Sequence, residues 1–224
     1  ENEIKKICEA QNITYDAFSY ILGFIETVMT ERRVAAELEY FMRKNGADKL
    51  AFDTICVAGK NTSLPHGVPT DYKIKKGDFV TMDFGAMKDG YCSDMTRTVV
   101  MGRATKEQEK IYNIVLDAHL TSMEAAKPGM TGEELDKIAR DIIYNAGYEG
   151  CFGHSLGHSL GLEIHEEPRV SKTGLVGFRE NMVVTIEPGI YLENKYGVRI
   201  ENMIKFTKNG FVNLTASPRE LIIL

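Results

Sequence analysis

The 224 residues carry 27 basic and 32 acidic side chains, a formal net charge of −5, with 43% apolar and 26% charged residues. These are ordinary globular proportions, which exclude disorder and fibrous repeats and leave length enough for one large core. With no Lys/Arg run longer than two, the chain lacks the clustered cationic surface that nucleic acid needs, and no apolar run approaches the roughly 20 residues of a membrane helix, so a soluble protein with small-molecule or protein partners is expected.

From Glu3 to about Met29, and again from Thr30 to Lys44, apolar residues return every three or four positions, the pattern of two amphipathic helices. Asn45-Gly46 closes the second as a left-handed cap. KKGDFVTMDFGAMKDGYCSDMTRTVV, ending at Val100, then reads as strand, turn, strand. TKEQ at Thr105 and TGEE at Thr131 have capping-box form and open two further helices, the last ending at Ala146-Gly147. RENMVVTIEPGIYLENKYGVRIENMIKF, ending at Phe206, again reads as strand, turn, strand. Cys8, Cys56, Cys92 and Cys151 form no CxxC pair and sit in apolar sequence as buried thiols do, which fits a reducing cytoplasm.

The chain repeats itself. Met29-Thr30 precedes a helix ending at Gly46 and Met130-Thr131 one ending at Gly147, with 17 positions from Met to Gly both times. Thr81-Met82-Asp83 matches Thr185-Ile186-Glu187, and each is followed across a turn by a second carboxylate, Asp94 or Glu201. The expectation is a single α+β domain over 1–224, with halves of about 1–104 and 105–224, in which a curved antiparallel sheet is covered by helices.

The acids demand an explanation. Period-two alternation puts Phe79, Thr81 and Asp83 on one strand face and Val80, Met82 and Phe84 on the other; later, Val183, Thr185 and Glu187 oppose Val184 and Ile186. Burying a lone carboxylate costs several kcal/mol, and neither strand carries a Lys or Arg to meet it. Four carboxylates brought together repel unless divalent cations join them, and an added imidazole suits Mn²⁺, Co²⁺ or Zn²⁺. A pair of metals roughly 3.5–4 Å apart sharing carboxylates is an arrangement that hydrolyses amides or phosphates. The stretch GHSLGHSLGLEIHE, Gly153 to Glu166, holds three of the five histidines and supplies the imidazole. Its glycines, Gly153, Gly157 and Gly161, are expected to allow unusual backbone angles or close approach. His119 reads as a partly exposed helical residue.

Taken in order, MDFGAMKDGYCSDMTRT, GHSLGHSLGLEIHEEP, VVTIEPGIY, GVRIEN and the ending LTASPRELI resemble the pita-bread metallopeptidases, in the branch of Xaa-Pro aminopeptidases and prolidases, over essentially the whole chain. The resemblance implies the pita-bread fold and two divalent metals, Mn²⁺ foremost with Co²⁺ and Zn²⁺ also suited. It implies Asp83 on one metal, His158 and Glu187 on the other, and Asp94 and Glu201 bridging. Glu187 would also act as general base and then acid, while His66, in NTSLPHG, and His165 would hydrogen-bond the substrate and the developing oxyanion. Arg199 would orient a bridging carboxylate, and His154 and Tyr191 would wall the pocket around the proline ring. Asn202 stands where the family commonly has Asp, so a somewhat lower metal affinity is expected.

By the same resemblance the substrates are proline-containing peptides, a homodimer is compatible, and an N-terminal domain found in other members lies outside these residues, leaving a catalytic domain with impaired activity. The imide nitrogen of an Xaa-Pro bond has no hydrogen to donate, which calls for a dedicated site. Many prolidases clamp a dipeptide's free carboxylate with an arginine in the loop before the Glu187 strand. Here that loop reads SKTGLVGF, with Lys172 and Arg179 the only cations. Xaa-Pro aminopeptidase is therefore the first expectation, ahead of Xaa-Pro dipeptidase, methionine aminopeptidase and a non-catalytic peptide binder.

Overall fold

The computed structural model describes residues 1–224. Helices α1 (Asn2–Phe24) and α2 (Glu31–Lys44) lead into β1 (Lys49–Leu50), β2 (Ile55–Ala58) and a 3₁₀ turn, Gly59–Ser63. Strands β3 (Phe79–Phe84), β4 (Ala86–Lys88), β5 (Tyr91–Cys92) and β6 (Met95–Val100) complete the first half. Helices α3 (Lys106–Ala125) and α4 (Gly132–Asn145) open the second, followed by β7 (Gly157–Ser159), β8 (Glu166–Val170), β9 (Val183–Ile186), β10 (Gly189–Leu192), β11 (Tyr196–Arg199), β12 (Asn202–Phe206) and β13 (Phe211–Asn213).

The helix signals act locally in both halves. The side chain of Thr30 accepts from the Arg33 amide at 3.2 Å, and both arms of the capping box form at Thr105–Gln108 and Thr131–Glu134. Gly46 and Gly147, just past α2 and α4, take φ of +101° and +91°, which a residue without Cβ adopts freely. Thr30 bridges to Lys73 and Thr131 to Gly177, so α2 and α4 are anchored alike. The first helix stops at Phe24, short of the expected Met29. Ile25 is extended, and the Val28 amide and Met29 carbonyl bond to residue 74. Ile25 and Ile74 are buried together in one core, so the helical spacing of Ile25 and Met29 serves packing against that segment instead.

Two antiparallel sheets matter to function: β2-β3-β6, and β13-β12-β9-β7-β8. Central β3 sends Val80, Met82 and Phe84 into a core shared with Phe18, Ile21, Leu38 and Met42 of α1 and α2. Central β9 sends Val184 and Ile186 into the core under α3 and α4. The opposite faces meet in the middle of the molecule, where Thr98 Oγ1 donates to the Arg199 carbonyl at 3.0 Å and the Glu201 amide to the Thr96 carbonyl at 3.1 Å. The curved sheet is assembled from these pieces.

His119 corrects one expectation, since it is fully buried. The buried stripe of α3 runs Ile111, Tyr112, Val115, Ala118, His119, Ser122 and Met123, and helical spacing places residue 119 inside it. Burial holds its pKa down to about 3, so it stays neutral.

Glu31, in the first turn of α2, is fully buried. Its carboxylate accepts from the amides of Ala58 (2.6 Å) and Thr70 (2.9 Å), from Asn61 Nδ2 (2.9 Å) and from Thr70 Oγ1 (2.6 Å). It thereby pins both ends of the 59–70 segment that carries His66. Glu31→Gln would turn an NH₂ toward donors, and about 1–3 kcal/mol of stability should be lost; calorimetry should show the thermal midpoint falling by several degrees.

Candidate metal centre

Topology gathers the acids. Asp83 lies near the end of β3 and Asp94 just before β6, whose pairing opposes Asp83 to Thr96. Glu187 follows β9 and Glu201 precedes β12, whose pairing opposes Ile186 to Asn202. Each antiparallel pair therefore delivers two carboxylates at one end of its sheet, and the two ends face each other. His158 comes from β7, which pairs with β9. Its neighbour Gly157 allows this approach, because a Cβ there would collide with the Thr185 carbonyl oxygen. Gly153 meets nothing within 4 Å and Gly161 only the Glu166 carboxylate, at 3.1 Å, and neither has positive φ, so the expectation for the three glycines holds at Gly157.

All five expected ligand residues converge. Asp83, Asp94, His158 and Glu201 are buried and Glu187 is the most exposed of the acids. His158 Nε2 lies 3.4 Å from Asp94 Oδ2 and 3.5 Å from Glu187 Oε1, and ligand atoms of Asp94, His158 and Glu201 fall within 4.8 Å of one another. His158 Nδ1 faces the Ser159 carbonyl at 3.1 Å. A carbonyl only accepts, so Nδ1 carries a hydrogen and Nε2 is the ring atom turned toward the carboxylates.

One oxygen on each of Asp83, Asp94 and Glu201 is buried without any partner. The other oxygens of Asp83 and Glu201 are satisfied: Arg199 Nη2 donates to Asp83 Oδ2 at 2.6 Å and Thr96 Oγ1 to Glu201 Oε2 at 2.6 Å. Burial raises the pKa of Asp94, with Asp83 and Glu187 adding to it; burial likewise raises Glu201, with Asp94, Glu187 and Asp83 adding. Burial also raises Glu187, against the opposing pull of His158 and Arg199. Orphaned oxygens, repelling acids and an imidazole nitrogen aimed at them are the donor set that divalent cations fit.

Arg199 differs from expectation. It touches Asp83 directly and reaches Glu201 only through Thr96, to whose hydroxyl its Nε donates at 3.0 Å. Its Nη1 donates to Tyr191 Oη at 2.7 Å and to the Pro65 carbonyl at 3.1 Å. Tyr191 Oη stands 2.8 Å from His154 Nε2, while His154 Nδ1 is 2.8 Å from the Ser155 carbonyl. Tyr191 is thus not part of the cavity wall; it stands behind it and links Arg199 to His154.

The cavity over the cluster measures about 230 Å³. Phe52, Ile55 and Ile164 give it apolar surface, and His66, His154 and His165 line it as expected. The His165 ring meets that of His158 edge-on, with centroids 4.5 Å apart, and burial together with the neighbouring His158 lowers its pKa. Arg169 also lines the cavity and was missed. It lies on β8 directly opposite His158, and its only ion pair, 3.5 Å to the exposed Glu167, is a weak surface contact. The signal was the PR of HEEPRV, legible only once the register is known.

Asn202 explains itself by its bonds. Its Oδ1 accepts from Arg97 Nη2 at 2.9 Å, and its Nδ2 donates to Asn213 Oδ1 at 2.9 Å and the Thr215 carbonyl at 3.3 Å. An Asp would set a second oxygen against two acceptors.

The model of metallopeptidase family M24 matches residues 5–208. An Xaa-Pro dipeptidase of Pyrococcus horikoshii is 51% identical over 222 residues, covering 99% of this chain and 63% of the relative. Among solved structures, an Xaa-Pro dipeptidase from Bacillus anthracis superposes with a TM-score of 0.98 at 48% identity, covering 100% of this chain and 63% of that one. An X-Pro aminopeptidase from Thermotoga maritima does so with a TM-score of 0.98 at 44% identity, covering 100% and 64%. The chain spans about 63% of the length of the curated relatives it matches. Its architecture is the pita-bread fold, and with a family match running through nearly all of its elements the chain belongs to metallopeptidase family M24.

Proposed function

We propose that the chain is the catalytic domain, with halves 1–104 and 105–224, of an Xaa-Pro dipeptidase. The observation that carries the reading is the set of three orphaned carboxylate oxygens converging with His158 Nε2 beneath a cavity that Arg169 lines. The preference for aminopeptidase rested on the lack of a suitable cation between residues 171 and 178. Arg169 supplies one from the neighbouring strand, and the relatives named Xaa-Pro dipeptidase support the same choice. The Thermotoga maritima structure keeps Xaa-Pro aminopeptidase as the second reading.

Asp83, Asp94, His158, Glu187 and Glu201 would hold two divalent cations, Mn²⁺ foremost because four of the five donors are carboxylates, and these supply Lewis acidity toward the scissile carbonyl and acidify water. Glu187, at the mouth of the cluster, takes the proton from the attacking water and gives it to the departing proline nitrogen. His66 and His165 donate to the carbonyl oxygen as it gains charge. Arg169 forks onto the substrate's free carboxylate, and His154 packs beside the proline ring. Four unpaired thiols suit a reducing compartment such as the cytoplasm.

The test compares an Xaa-Pro dipeptide with the corresponding Xaa-Pro-Xaa tripeptide in the presence of Mn²⁺. The dipeptide should be cleaved faster, and Arg169→Leu should lower its kcat/KM about 10–100-fold while barely touching the tripeptide, as befits a lost charged hydrogen bond. Faster tripeptide cleavage restores the aminopeptidase reading, and cleavage of neither refutes the function.

A further inference from the structure

Between α4 and β7 the chain runs from Ala146 to Leu156 without regular structure, and this loop carries His154 into the cavity wall. One buried ion pair answers for its backbone. Arg140 Nε and Nη2 donate to the two oxygens of Asp136, at 2.7 and 2.9 Å, one helical turn away. The remaining capacity goes to the loop: Arg140 Nη1 donates to the Phe152 carbonyl at 2.7 Å, Nη2 to the His154 carbonyl at 2.9 Å, and Asp136 Oδ1 accepts from the Leu156 amide at 3.0 Å. The guanidinium also lies 4.2 Å from the centroid of the Phe152 ring, whose edge meets the His154 ring at 5.0 Å and 89°.

We infer that Asp136 and Arg140 form a positioning unit for His154. Stability alone is a poor reason for the pair, since buried ion pairs are often no better than apolar residues of the same volume. Geometry gives a better one. A planar fork fixes the Phe152 and His154 carbonyls simultaneously, and its face fixes the Phe152 ring that in turn sets the His154 ring. Tyr191 Oη and the Ser155 carbonyl then hold the two ring nitrogens, leaving a neutral imidazole standing still in the wall. Lysine would keep the charge but has neither the fork nor the flat face.

The activity arm of the test rests on the proposed function, and a spectroscopic arm stands apart from it. Arg140→Lys and Arg140→Met are compared with the unaltered protein at a temperature where circular dichroism shows all of them folded. The readouts are Xaa-Pro dipeptide hydrolysis and the ring NMR resonances of His154, assigned by their loss in His154→Ala. Both variants should shift or broaden the His154 resonances. Each should lower kcat/KM on the order of 10²-fold, the scale of an ångström-level misplacement, and far less when added to His154→Ala. Unmoved resonances, or an equal loss in the His154→Ala background, overturn the inference. If the unaltered protein hydrolyses nothing, the proposed function has failed, and the resonances alone decide the role of the pair.

Discussion

Glu187→Gln should lower the hydrolysis of an Xaa-Pro dipeptide at saturating Mn²⁺ by roughly 10²–10⁴-fold, the usual worth of a positioned general base and acid, without lowering the thermal midpoint of the metal-free protein. The two effects have one origin. Glu187 is held by a hydrogen bond from Thr185 Oγ1 at 3.1 Å, which the amide oxygen of Gln can still accept, so its shape and anchoring survive. What disappears is a proton carrier and one of four mutually repelling charges. The lost carrier costs turnover, and the lost charge relieves repulsion on Asp94 and Glu201, both of which Glu187 pushes toward protonation. A residue of merely structural importance would lose stability and activity together. Steady-state kinetics with thermal melts of the metal-free form separate the cases, and a variant retaining activity within tenfold would remove Glu187 from the proposed proton path.

How far the sequence reveals this molecule follows from the range over which each signal acts. The capping boxes at Thr105 and Thr131 depend on neighbours three residues away, and they read true. The gathering of the candidate ligand residues was legible for a different reason: carboxylates at strand ends without basic partners in their own strands have few physical explanations, and their duplication leaves fewer. Errors arise where meaning depends on a distant partner. Glu31 looks like an ordinary acid favouring a helix start, because the Ala58 and Thr70 amides that consume it lie 27 and 39 residues away. Asp136 and Arg140 look like a surface i,i+4 pair until the 152–156 segment folds over them. Arg199 was expected to orient a bridging carboxylate, yet β11 ends at Arg199, and the side chain reaches across to Asp83 of β3. Arg169 required the β7–β8 register, which the irregularity between His158 and Ser159 hides from any count of residues.

Chelating the metals should leave a protein that loses stability as pH rises from about 6.5 to 8, whereas the metal-loaded protein should not. The sign comes from the carboxylates. Asp94, Glu187 and Glu201 have pKa values raised above the unfolded ones, so the metal-free fold holds protons that the unfolded chain has released. Their contribution is complete below the ordinary carboxylate range and drains away as pH climbs through the raised values. His119 and His154, both held down to about 3 by burial, act in the opposite sense, weakening the fold as pH drops below the usual histidine range. Both are neutral in the fold across this range, but in the unfolded chain they are still about half protonated at pH 6.5 and lose most of that charge by about pH 7.5. They therefore partly offset the carboxylate slope at the lower end, and the carboxylate effect dominates toward pH 8. Each proton held by the fold but not by the unfolded chain contributes about 1.4 kcal/mol per pH unit. At roughly 2–4 °C per kcal/mol for a domain of this size, the midpoint should slide by several degrees per unit. Metal binding needs those same groups ionised, so the cation displaces the protons and the rise in midpoint on adding Mn²⁺ should grow with pH. Thermal melts at pH 6.5, 7.25 and 8, with chelator and with Mn²⁺, test both slopes. If the chelated protein were insensitive to pH over this range and Mn²⁺ added nothing, the acids would be ionising as freely as surface groups. The five side chains would then not form a cage short of positive charge.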